Sequence, residues 1–363
     1  MTQNTAPCLA LTQLHAKEQR VLGELATQVR HAFVTGAGGF LGKAICLRLL
    51  AAGIKVTGFA RGHYPELVAQ GVTMVQGDLA NAGQVLSAMQ GCDMVFHVAS
   101  KAGVWGSKQS YFESNVKGAE NILDACRKLN ISTLVYTSTP SVTFAGVDES
   151  GIDESTPYAA QFLNHYAHSK AIAEAMVLKA ASEMGNDGYH LKTVAIRPHL
   201  IWGPEDPHLV PRVLARARAG KLKLVGREDK LVDTIYVDNA AYAHLLAALE
   251  LCQAQPKCLG RAYFVSNDEP VTMAHMLNLI LACDNLTPVT KRVPKSIAYG
   301  VGALLEGIYH LLKKQEEPIM TRFVARQLSC SHYFDISAAK RDFGYTALVT
   351  IEEGMARLKA SIT

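Results

Sequence analysis

Short apolar runs alternating with helical stretches, a glycine cluster between the first run and the first helix, and the fading of this rhythm after residue 200 together predict an α/β protein. The expected form is a doubly wound parallel sheet with helices on both faces, followed by a smaller, mostly helical C-terminal subdomain. At 363 residues the chain is long enough for one large core and a second, smaller unit.

The elements follow in order. Leu11, Leu14, Leu22, Leu25 and Val29 recur at roughly the spacing of one helical face, so residues 1–30 read as a helical extension. Next come the strand His31 to Val34, a helix from Gly39 to Ala52, the strand KVTGFAR and a helix around Glu66 to Gln70. The runs VTMVQGD, DMVFHVAS and TLVYTST complete the β-α-β pattern. The division predicted is 31–200 for a nucleotide-binding domain and 201–363 for a substrate subdomain partly interleaved with it. In the second part, Arg216 to Arg227 reads as a basic loop and Ser296 to Leu312 as an apolar, glycine-containing stretch. That stretch is too short for a confident span and suits a core or lid helix; contact with a lipid surface or a lipid-like substrate stays open.

Composition narrows the function classes. Charged residues make up 19% and hydrophobic ones 49%, which excludes a mainly disordered chain. A net charge of +4 with scattered Lys and Arg gives no nucleic-acid groove, so no nucleic-acid partner is expected. The eight cysteines form no CxxC pair and lack metal-like His spacing; they read as reduced packing thiols of a cytoplasmic protein, with no metal site. The first twenty residues lack a basic leader followed by a sustained apolar run, so no secretory signal is expected.

The first chemical signal is Thr35-Gly36-Ala37-Gly38-Gly39-Phe40-Leu41-Gly42, after a strand and opening a helix. Gly36 permits a tight turn, Gly39 lets backbone approach a pyrophosphate, and Gly42 allows close helix packing, while the helix N-terminus faces the anion. Gly38, Phe40 and Leu41 belong to the same expected dinucleotide cradle. At the end of the second strand, where an acid would hold the ribose 2′-hydroxyl of NAD, stand Ala60 and Arg61. A guanidinium there suits the 2′-phosphate, so NADP(H) is the expected cofactor; a solvated surface arginine is the alternative. Asp78 and Leu79 after the third strand, and Val98, Ala99 and Ser100 after the fourth, fall at the sheet edge where ligands bind.

The second signal is Tyr166-Ala-His-Ser-Lys170, preceded by Ser138 and Thr139 at a strand end. A spacing of four puts Tyr166 and Lys170 on one helical face, so the ammonium is expected to lower the phenol's pKa and make it a usable acid or base. Thr139 and Ser138 would bind the reacting carbonyl oxygen, and Lys170 would also hold the nicotinamide ribose. His165 and His168 read as pocket or packing residues.

These residues, with GDL (77–79), NVKG (115–118), YTSTPSV (136–142) and RPHLIWGP (197–204), resemble the extended short-chain dehydrogenase/reductase superfamily. Its branch of 3β-hydroxysteroid and sterol-4-carboxylate dehydrogenases is nearest. The resemblance covers residues 31–363 and implies a Rossmann-type sheet, a supporting role for Asn115, the family's catalytic hydroxyl at Thr139, and a nicotinamide end lined by Pro198, Leu200 and Ile201. GHYPEL (62–67), KAGVWGS (101–107), LVPR (209–212), VDTIYVDNAA (232–241) and MTRF (320–323) further resemble the family of bacterial 2-alkyl-3-oxoalkanoate reductases. That resemblance implies NADPH-dependent reduction of a long-chain β-keto acid in olefin biosynthesis. It also implies partners: a thiolase-like condensing enzyme, a β-lactone synthetase and a β-lactone decarboxylase, with the chain as a homodimer. Lys101, Arg212 and His199 are candidates for pairing with the substrate carboxylate. The alternatives are an NAD(P)-dependent hydroxysteroid or sterol-4-carboxylate dehydrogenase, and a cofactor-sensing scaffold. The intact tyrosine and lysine speak against the scaffold. A nucleotide-sugar epimerase fits poorly with Arg61 and the apolar C-terminal half.

Overall fold

The computed structural model describes residues 9–183, 188–314 and 316–362. Strands β1 (His31–Thr35), β2 (Lys55–Ala60), β3 (Thr73–Gln76), β4 (Met94–His97) and β5 (Thr133–Thr137) are joined by Lys192–Pro198 and Arg261–Val265 in one seven-stranded sheet. From one edge the order is Arg261–Val265, Lys192–Pro198, β5, β4, β1, β2, β3, and every pairing is parallel. The chain reverses direction of travel between β1 and β4, which opens a crevice at their C-terminal ends, the usual ligand position in such sheets. The strands are nearly continuous apolar runs because both faces are covered: β1 has four buried residues of five, and β4 and β5 are buried throughout.

The N-terminal extension is a packed helix, α1 (Ala16–Gln28), capped by the His15 ring. Leu22 and Leu25 are fully buried in the main core. Glu18 accepts from Arg48 Nε at 2.8 Å on α2 (Phe40–Ala51), and Arg48 also reaches Asp238 at 2.8 Å on the helix Val237–Leu251. A guanidinium shared by two carboxylates satisfies its donors, so this buried charge ties three helices together. Cys8 and the rest of 1–8 lie outside the described residues.

Beyond residue 200 the chain supplies both layers: the helix Val237–Leu251 packs under the sheet and Arg261–Val265 forms its edge strand. The remainder is mostly helical, around a small four-stranded sheet that includes Glu149–Ile152 and His332–Phe334. The stretch expected as a basic loop is partly ordered: Arg216 and Arg218 end the helix Leu209–Arg218, and Leu224–Val225 pairs with Arg292–Val293. The apolar stretch forms the helix Lys295–Leu311, which buries only Ala298 and Gly302. Among the described residues no helix is long and apolar enough to cross a membrane, and no His, Cys, Asp and Glu group suits a metal ion. The seven described cysteines are free thiols, and burial raises the pKa of Cys46 and Cys126.

Candidate active site

The crevice is a cleft of about 690 Å³. Its floor is the turn after β1. Gly36 sits at φ +67°, and a Cβ there would come within 2.9 Å of the Ala99 backbone. A Cβ on Gly42 would lie 2.1 Å from the Gly36 carbonyl oxygen, so only glycine lets α2 start this close to the turn. Gly39 precedes the helix with no side-chain cap, and the first turn carries no acid. Its backbone N–H groups therefore face the cleft as an anion site. This cradle, which the close packing of Gly36 and Gly42 makes possible, fits the pyrophosphate of a dinucleotide.

Gly36, Gly39, Phe40, Leu41 and Gly42 line the cleft, as do Arg61, Asp78, Leu79, Val98, Ala99 and Ser100. Pro198, Leu200 and Ile201 close the opposite end, with Leu200 held at φ +45°. Gly38 is not part of the lining; the Tyr64 ring lies where its Cβ would be, at 2.1 Å, and Tyr64 itself faces the cleft. No sequence rule flagged Tyr64, because its approach to Gly38 is set by the path of the segment after β2. Asp206 was also missed. Its carboxylate accepts from the backbone of His208, Leu209 and Val210 and so caps the helix that forms the outer wall.

The helix His165–Ala180 brings Tyr166 to the same cleft as Ser138 and Thr139. Asn164 caps it through Ala167 N at 2.8 Å. Burial raises the Tyr166 phenol and its contact with Thr139 lowers it. Ser138 Oγ is buried without a hydrogen-bond partner among the described residues, which fits a ligand oxygen at this point. Lys170 lies behind the tyrosine, 1% exposed, with Nζ donating to the Thr137 carbonyl at 2.6 Å and 4.0 Å from the centre of the Tyr136 ring. Burial pulls this amine down to about 7, and Glu174, one turn further along the helix, opposes the shift. The expected lowering of the phenol by Lys170 therefore needs correction: the shared helical face is real, but the buried amine turns to a carbonyl, and burial leaves the Tyr166 phenol above its ordinary value, with Thr139 only opposing that rise. Glu174 is itself clamped by Arg197 at 2.5 Å and by Tyr158 at 2.8 Å.

Asn115 sits behind the cleft in a π-helical stretch, Phe112–Lys117. Its Oδ1 accepts from Lys101 N at 2.7 Å, and its Nδ2 donates to Ser169 Oγ at 2.9 Å on the tyrosine helix. Such a π turn shifts one side chain out of α-helical register and is often found at sites. Of the carboxylate candidates, Lys101 lines the cleft and Arg212 is paired with Glu317 at 2.9 Å. His199 is not a cation: burial pushes it down to about 3, and its Nδ1 is engaged with the Asp233 carbonyl at 2.8 Å. His168 stacks on Phe162 at 4.9 Å and is a packing residue, as expected.

Residues 33–291 match the 3-beta hydroxysteroid dehydrogenase/isomerase family. The chain belongs to this family. It is 76% identical over 98% of its length to the 2-alkyl-3-oxoalkanoate reductase of Shewanella oneidensis, covering 92% of that protein. Identity is 49% with the 2-alkyl-3-oxoalkanoate reductase of Stenotrophomonas maltophilia, over 90% of this chain and 98% of that one. The sterol-4-alpha-carboxylate 3-dehydrogenase, decarboxylating, of Mus musculus is 33% identical over 91% of this chain and 90% of its own. Among solved structures, the dTDP-glucose 4,6-dehydratase of Streptomyces venezuelae with NAD bound superposes with a TM-score of 0.71 at 20% identity, over 91% of this chain and 96% of that one. That likeness shows the fold alone. The family is one of dehydrogenases, so the protein is an oxidoreductase, and its fold is of the Rossmann type.

Proposed function

We propose that this protein reduces a long-chain 2-alkyl-3-oxoalkanoate to the 2-alkyl-3-hydroxyalkanoate with NADPH. The observation that carries this reading is the 76% identity to a reductase of that name across nearly the whole chain. The cleft supports it. Ala60 and then Arg61 stand at the end of β2, where an acid would receive a ribose 2′-hydroxyl, and Arg61 lines the cleft, which favours a 2′-phosphate. When bound, the nicotinamide supplies the hydride. Tyr166 gives its proton to the carbonyl oxygen as charge develops there, and Thr139 and Ser138 donate hydrogen bonds to the same oxygen. Lys170 is assigned to the ribose hydroxyls, which it reaches by turning its amine from the Thr137 carbonyl, and Asn115 keeps the tyrosine helix in place. The glycine loop and Asp78, Leu79 and Val98 to Ser100 hold the rest of the dinucleotide. Free thiols fit a cytoplasmic setting, and work beside a condensing enzyme and β-lactone-processing partners, as a homodimer, belongs to the same reading.

The sterol relative supports a second reading, dehydrogenation of a 3-hydroxysteroid or sterol-4-carboxylate. Its name and that of the reductases share one chemical element, an oxygen-bearing carbon separated from a carboxylate by a single carbon. Steady-state oxidation of NADPH and of NADH with a long-chain 2-alkyl-3-ketoacid, run alongside Tyr166→Phe, separates the two. NADPH-dependent turnover that collapses in the variant supports the reductase. No turnover, with NAD-dependent oxidation of a hydroxysteroid instead, moves the assignment to the second reading.

A further inference from the structure

The wall beside Tyr166 holds a cation that the mechanism above does not use. Lys101 lines the cleft with Tyr166 and Thr139, and among the described residues it forms no ion pair. Its ammonium has three donors, and one is taken by Ser110 Oγ at 2.7 Å. Ser110 in turn donates to the Ser107 carbonyl at 2.9 Å, so this serine fixes where the ammonium sits. Nζ lies 5.1 Å from the centre of the Tyr111 ring, whose centre is 6.4 Å from that of Tyr166.

The lysine is also referenced to the tyrosine through one amide. Asn115 binds both the N–H and the carbonyl of Lys101, at 2.7 and 3.2 Å, and donates to Ser169, which donates to the Tyr166 carbonyl at 2.9 Å. The carboxylate beside this wall, Glu317, 3.5 Å from where a Gly103 Cβ would lie, is held by Arg212. A half-buried cation held at a set place on the cleft that also carries the proton donor, with two donors to spare, is built for an anion on the substrate.

We propose that Lys101, positioned by Ser110 and Asn115, is the subsite for the substrate carboxylate. The proposal rests on the reductase reading. In a β-keto acid the carboxylate is one carbon from the carbonyl, so an oxygen seated at Tyr166, Thr139 and Ser138 leaves the carboxylate beside that point. Pairing with Lys101 then selects acids over simple ketones and fixes which face of the carbonyl is presented.

The test uses the full chain and the stable alcohol side of the reaction: a 2-alkyl-3-hydroxyalkanoic acid and its methyl ester, oxidised with NADP. The acid-to-ester ratio of kcat/KM is measured for wild type, Lys101→Gln and Lys101→Arg. The ratio is expected to fall about 10–100-fold in Lys101→Gln, the size of one lost charge-assisted hydrogen bond, and to recover most of that in Lys101→Arg. Acid and ester falling together, or neither falling, overturns the subsite while leaving the reductase reading intact. A wild type that oxidises neither compound overturns the reading and the subsite with it.

Discussion

Two glycine-bearing segments of this protein look alike in composition and behave oppositely. In the turn of 35–42, an added Cβ would meet the Ala99 backbone at Gly36, the Tyr64 ring at Gly38 and the Gly36 carbonyl at Gly42. In the helix Lys295–Leu311, a Cβ on Gly300 or Gly307 would meet nothing within 4 Å, and only Gly302 is forced small, by the Thr321 backbone. The helix leaves Leu304 64% and Leu311 82% exposed, whereas β1, β4 and β5 beneath the turn are buried almost throughout. A glycine in the turn makes room for a ligand and for another backbone. On the exposed helix it only raises the entropy lost on folding. The difference teaches that the nucleotide half is built by close approach and the outer helix by little more than local propensity.

The largest effect expected within the cleft is that of Tyr166→Phe, a loss of about 10²–10⁴-fold in kcat/KM with NADPH binding retained. Normal turnover in that variant would detach the chemistry from this wall. Gly42→Ala comes next: forcing apart the helix and turn should cost about 1–3 kcal/mol and weaken NADPH binding, as read by thermal unfolding and cofactor titration. If the alanine were accepted silently, the contrast with the outer helix would collapse. Arg61→Ala should reduce the preference for NADPH over NADH by about 10–100-fold, leaving NADH kinetics nearly unchanged.

A smaller effect lies beneath the cleft at Asp233. Its Oδ2 accepts from Phe334 N at 2.9 Å, Oδ1 is buried without a partner among the described residues, and burial pushes the carboxyl up to about 6. With the folded pKa above the unfolded one, the favourable contribution is full below the unfolded value and is lost as pH rises through 6. Asp233→Asn removes that loss. Its unfolding free energy should gain on wild type between about pH 5 and pH 8, by on the order of 1 kcal/mol, as read by urea unfolding at each pH. An equal difference at both pH values would show that the carboxyl is not the titrating group. The smallest effect is on the outer helix, where Gly300→Ala and Gly307→Ala should each stabilise by up to about 1 kcal/mol without slowing turnover. Destabilisation by either would reveal a contact that the folded chain alone does not make.

How much of the site was legible depends on how far apart its parts lie in the chain. The glycine turn and the Tyr166/Lys170 spacing are local, and local rules of sterics and helical period located both. Thr139 and Ser138 were readable because they end a strand whose neighbours also end at the crevice. The role of Asn115 came from family resemblance alone. Its link between Lys101 and Ser169 spans 14 residues on one side and 54 on the other, and no spacing rule covers such a pair. Tyr64 and Asp206 escaped for the same reason, since one packs on Gly38 and the other caps a helix at the mouth. His199 was misjudged because a histidine in a motif carries no mark of its burial, and here burial keeps it neutral.

By itself, then, the sequence determined the α/β rhythm, the position of the phosphate cradle and the residue types able to move a proton, because near neighbours along the chain encode all three. Tertiary structure alone decided which groups carry charge and what they face. Lys170 turns to Thr137, Glu18 and Asp238 share Arg48, and Lys101 is left with donors to spare. Desolvation and partner choice are set by side chains brought together from distant segments, and no stretch of the chain read alone contains them.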